Sequence, residues 1–117
     1  MTAMADSVDP IEKYPKLASF LIGSFHEDWY EDQKQRNEPP EPDLVVGHSI
    51  KENPREFLMQ VSKELAMVFD RYDDNGLTNL VRREFYAGVR PELRGLTMRQ
   101  WLESVKQRID EHLRFSL

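Results

Sequence analysis

The chain has no cysteine. That excludes a disulfide framework and any thiol nucleophile. It has no apolar run longer than a few residues, far short of the roughly 20 a bilayer span needs. Its first nine residues are polar and acidic, without the basic start and apolar stretch of a secretory signal. A cytoplasmic address fits these absences. Strand-like alternation, internal repeats and low-complexity tracts are missing, as are a glycine-rich phosphate loop and a nucleophile elbow. Histidine is scarce. His26, His48 and His112 lie far apart in sequence, so no metal site is expected from their spacing.

What is present is charge, unevenly placed. Residues 1–43 hold 10 acids and 4 bases, residues 44–76 hold 6 and 4, and residues 77–117 hold 5 and 8. An acidic front half repels nucleic acid and attracts a basic protein. The basic tail, with acids interspersed, reads as a solvated helix surface laced with ion pairs. At 117 residues the length suits one domain with a single modest core.

Periodicity points to helices. Residues 1–13 read as a flexible leader and residues 14–117 as one domain. Leu17, Leu21 and Phe25 share a stripe flanked by Phe20, on a helix opened by Pro15. Residues 32–42, with Pro39, Pro40 and Pro42, read as a loop. A short helix from Asp43 to Glu52 carries Leu44, Val45 and Ile50. Asn53-Pro54-Arg55-Glu56 looks like a capped helix start. The long central helix that follows carries Phe57, Val61, Leu65, Val68 and Tyr72 in one stripe, with Leu58 and Phe69 beside it. Asp73-Asp74-Asn75-Gly76 is expected to stop it through a left-handed residue. A helix over Leu77–Ala87, a Gly/Pro loop, and a last helix follow. That last helix opens on a Thr97–Gln100 capping box and buries Trp101, Leu102, Val105, Ile109 and Leu113. The expected fold is all-α, a single compact domain of about five helices with a long central helix and a C-terminal helix.

Signals for catalysis and metal fail on spacing. His26-Glu27 begins a zinc-protease motif, but Tyr30 stands where the second histidine belongs. Placing Gly76 in a calcium loop puts Arg71 at the first ligand position and Arg82 at the last. The carboxylates cluster in polar stretches, where they stay solvated rather than acting as acid and base. No enzyme, metal or cofactor is expected. Trp29 reads either as an anchor packed back on the core or as part of an exposed surface. Tyr30, ringed by acids, has the character of a contact for a basic partner.

The order of short motifs resembles the immunity proteins of contact-dependent growth inhibition. Tyr14-Pro15, Phe20-Leu21 and Phe25-His26-x-Asp28-Trp29 open the match. Asn53-Pro54-x-Glu56 follows an acidic, proline-containing linker and leads to Val61 and Glu64-Leu65. Phe85-Tyr86, Pro91, Gly95-Leu96-Thr97 and Trp101-Leu102 close it. The stretch from Arg71 to Arg83 and the leader depart from the pattern. The resemblance implies an inhibitor that binds and neutralises the C-terminal toxin domain of a large exoprotein. That toxin is expected to be a basic protein of nuclease type. Membrane and nucleic-acid partners are not expected, and the oligomeric state stays open. The toxin-binding residues expected are Glu27, Asp28, Tyr30, Glu31, Asp32, Glu38, Glu41 and Asp43, with Asp70, Asp73 and Asp74 as a second acidic patch. Two other readings remain: a helical adaptor with no toxin partner, and a nucleic-acid binder using Arg82, Arg83, Arg90, Arg94 and Arg99.

Overall fold

Four helical segments begin on proline, whose missing N–H is not needed in a first turn and whose φ is already helical. A computed structural model of the chain describes residues 9–25, 42–85 and 87–115. Among them α1 is Pro10–Lys13, α2 Pro15–Ser24 and α3 Pro42–Glu52. The central helix α4 is Arg55–Arg71, α5 is Asp74–Asn79, and α6 is Met98–Phe115. A π-helical turn, Leu80–Glu84, continues α5, and a 3₁₀ turn, Pro91–Arg94, precedes α6. No strand occurs among the described residues, and the all-α expectation holds.

α4 is the hub. It packs on α6 along one side and α2 along the other, while α3 and α5 bridge to α6. Leu58, Val61, Leu65 and Val68 of α4 are fully buried. They meet Leu17, Phe20 and Leu21 of α2, Val46 and Ile50 of α3, Leu77, Leu80 and Val81 beyond α5, and Trp101, Leu102, Val105 and Ile109 of α6 in one core. Each such side chain contributes about 1.5–3 kcal/mol by leaving water. Phe57, Phe69 and Tyr72 are only partly buried. The inward stripe of α4 is therefore centred on Leu58 rather than on the Phe57 edge. Leu44, expected inside, is 39% exposed, and Val46 takes the inward position on α3.

Both ends of the α4–α6 pair are closed by arginine. Arg99, in the first turn of α6, donates through Nη2 to the carbonyls of Phe69 (3.1 Å) and Tyr72 (2.6 Å) at the end of α4. Arg55, first in α4, donates to the carbonyl of Leu113 (2.6 Å) near the end of α6. The two helices thus run antiparallel, each satisfying carbonyls that the other's last turn leaves open.

Two helix boundaries differ from the sequence expectation. Asn53 does not cap α4. Its side chain turns back and donates to the Ser49 carbonyl (2.7 Å), closing α3, and Pro54 stands at the α4 cap without a side-chain bond. Asp73-Asp74-Asn75-Gly76 is not a left-handed stop. Asp73 is extended, caps α5 by accepting from Gly76 N (2.7 Å), and leaves Gly76 inside that helix. A carboxylate two residues past a helix end served the next helix instead. The left-handed residue is Gly95, at φ 73°, ending the 3₁₀ turn. The Thr97–Gln100 box forms as expected, with reciprocal bonds of 2.9 and 3.0 Å.

Candidate functional site

The expected acidic front begins where α2 ends. Glu27, Asp28, Tyr30, Glu31, Asp32, Glu38 and Glu41 lie outside the described residues, as does Trp29. The frame on either side of them is described. Phe25 is fully buried and meets Trp101 edge to face, with ring centroids 5.5 Å apart. Its carbonyl accepts from Gly88 N (3.2 Å). On the other side Asp43, exposed in the first turn of α3, lies 3.8 Å from the Arg94 guanidinium. The Asp43 carbonyl accepts from Arg108 Nη1 (2.9 Å). Residues 26–41 carry six acids against two bases. Both flanks of this run are held by the basic C-terminal part of the chain.

The second patch sits elsewhere. Asp70, Asp73 and Asp74 are gathered at the α4–α5 junction, and among the described residues no contact joins them to Asp43. They are not equivalent. Asp74 is half-buried and accepts from the Arg99 backbone N–H (3.0 Å), capping α6 from outside. One oxygen of Asp73 is committed to Gly76. Asp70 faces solvent in the last turn of α4. Two of the three carboxylates therefore close helices, which leaves Asp70 the most available for a partner.

The arginines of the nucleic-acid alternative are also engaged. Arg82 pairs with Glu92 and lies near the Val89 carbonyl. That guanidinium, hydrogen-bonded to the Glu92 carboxylate, holds Glu92 below the usual carboxylate range. Arg94 faces Asp43, and Arg99 closes α4 while lying 5.6 Å over the Phe69 ring. Only Arg83 and Arg90 of the five stay exposed without a described ion pair, too few for a phosphate-tracking surface. Among the described residues no cluster of three metal-ligating side chains exists.

Sequence reasoning missed Glu64. It is 3% exposed and crosses from α4 to the start of α2. Its Oε1 accepts from Lys16 N (3.0 Å) and Leu17 N (2.9 Å), and its Oε2 accepts from Gln60 Nε2 (3.2 Å). The available signal was a lone carboxylate between Val61 and Leu65, inside an apolar stripe where charge is costly unless paired. Two buried polar atoms have no partner, the Tyr14 hydroxyl and Trp101 Nε1. Tyr14 meets the Tyr72 ring edge to face at 6.4 Å. Burial, then the adjacent Tyr14, raises the Tyr72 hydroxyl above its ordinary value.

A family model described as CdiI immunity protein matches residues 13–109. No curated protein and no solved structure matches the chain.

Proposed function

The chain belongs to the CdiI immunity protein family, and from that premise we propose that it neutralises a cognate toxin domain by binding it through its acidic front. Immunity against contact-dependent inhibition is the family's role. The nuclease character of the toxin and the use of residues 26–43 as the contact are our reading. The observation that carries it is the charge of the 26–41 run, six acids against two bases, between two flanks fixed to the helical body. A nuclease must hold phosphates and so presents cations. An acidic segment can cover that surface as a substrate mimic. Opposite charge also raises the encounter rate by orders of magnitude over neutral partners. Rim ion pairs add only about 0.2–1 kcal/mol each, so affinity must come chiefly from buried anchors such as Tyr30. The protein acts as an inhibitor rather than an enzyme, in the cytoplasm of the cell it protects. No helix among the described residues is long and apolar enough to cross a membrane.

A protection assay tests this. The C-terminal domain of the exoprotein encoded beside this gene is induced in a naive host with and without this protein. Growth should be rescued by this chain and not by an unrelated immunity protein. Reversing Glu27, Asp28, Glu31 and Asp32 to lysine should abolish rescue and slow association steeply at low salt. Killing that continues with both proteins soluble would refute neutralisation and favour a helical adaptor. Rescue that survives the charge reversal would refute the acidic front alone.

A further inference from the structure

We infer that Glu64 is a positioning residue for toxin binding: its buried carboxylate fixes where α2 begins, and α2 fixes where the acidic run leaves the helical body. This rests on the function proposed above. α2 cannot cap itself. Its cap residue, Tyr14, makes no side-chain bond, and Pro15 has no N–H to satisfy. The next two amides, Lys16 and Leu17, both reach Glu64 Oε1 at 3.0 and 2.9 Å, from a residue 48 and 47 positions away. A carboxylate there also opposes the positive end of the helix dipole. Glu64 itself cannot drift. Val61 and Leu65 on either side are fully buried, Gln60 holds the second oxygen, and α6 clasps α4 at both ends.

At its other end α2 delivers Phe25 onto Trp101, with the Phe25 carbonyl on Gly88 N. Ten residues make a rod of about 15 Å. With the near end capped, the rod has one axial position, and the chain leaves it at Phe25 in one place. Without the acceptor, two buried donors lose their partner and the first turn frays, letting the rod shift along its axis. A preformed contact surface binds with less ordering cost than one that must be found. Glu64 therefore acts on binding through α2, without touching the toxin.

The test compares the native chain, Glu64→Gln and Glu64→Ala at a temperature where circular dichroism shows each fully folded. The readouts are amide exchange at Lys16, Leu17 and Phe25, and the rates of association and dissociation with a catalytically inactive toxin domain. Glu64→Ala should exchange at least about tenfold faster at all three amides and release the toxin at least about tenfold faster. Glu64→Gln keeps a carbonyl oxygen for both donors and should stay within about threefold of native on both readouts. A folded Glu64→Ala that holds the toxin like the native chain overturns the inference and leaves a purely structural cap. A folded Glu64→Gln that loses the toxin overturns it too, since geometry would then be intact. If Glu64→Ala does not fold, Glu64→Gln alone decides. The native chain is measured first, and its failure to bind the toxin overturns the functional proposal itself, whatever the exchange rates show.

Discussion

Replacing Arg99 with alanine should destabilise the protein by about 2.5 kcal/mol. The side chain makes two bonds from a charged donor, to the Phe69 and Tyr72 carbonyls. Such bonds contribute about 1.5–3 kcal/mol each when fully enclosed. Arg99 is only half-buried, so water can replace part of what is lost, and about 1 kcal/mol each is the better figure. The guanidinium over Phe69 adds about 0.5 kcal/mol at a partly exposed site. The backbone N–H of Arg99 keeps its bond to Asp74, so the α4–α5–α6 junction does not collapse. Unfolding entropy near 2.1 cal/mol/K per residue gives roughly 0.25 kcal/mol/K for a chain of this size, so the midpoint should fall by about 10 °C. Arg99→Lys keeps the charge but reaches one carbonyl without stacking, and should lose about half as much. Arg55→Ala, at the opposite end of the pair, should add to Arg99→Ala within about 0.5 kcal/mol. Urea and thermal unfolding followed by circular dichroism measure all of these without a toxin. A loss below about 1 kcal/mol for Arg99→Ala, or a lysine variant as stable as native, would show that the clasp is not what closes α4.

Leu65→Ala, at a fully buried site on the hub helix, should cost about 2–5 kcal/mol in urea unfolding. Gly95 sits at φ 73° with nothing within 4 Å of an added Cβ, so Gly95→Ala should cost about 1 kcal/mol from backbone strain alone, and Gly95→Asn clearly less. The Tyr72 hydroxyl titrates above its ordinary value through burial and Tyr14. Its contribution to stability is therefore complete below pH about 10 and is lost as pH climbs through the raised value. The stability difference between the native chain and Tyr72→Phe should narrow across that interval in urea titrations at stepped pH. A constant difference would refute the assignment.

The apolar periodicity was enough to place the helices, because α2, α4 and α6 each bury a stripe that only a 3.6-residue repeat produces. What it misjudged were the polar residues at helix ends. Asn53, Asp73 and Asp74 each stand between two helices, and local pattern does not say which of the two a short polar side chain will serve. Asn53 closes the helix behind it, Asp73 opens the helix ahead, and Asp74 reaches α6, 25 residues on. Glu64 escaped for the same reason. Its partners are almost 50 residues away, and a motif defined by adjacent spacing cannot hold such a pair. The acidic front was legible as charge, since composition needs no geometry. Where its side chains point is a tertiary matter that charge counting does not reach.

The arginine clasp has a consequence for how such a chain can change. α4 and α6, of 17 and 18 residues, form a frame closed at both corners. Adding or deleting one turn in either helix would slide one arginine about 5.4 Å from its carbonyls while the other corner held, so the two lengths can alter only together. Novelty in partner choice must then come from substitutions on outward faces, or from growth and shrinkage of the connecting runs, the 26–41 stretch foremost. The frame acts as a fixed chassis, and the same set of helix-closing polar residues that makes it rigid is withdrawn from the repertoire available for recognising something new.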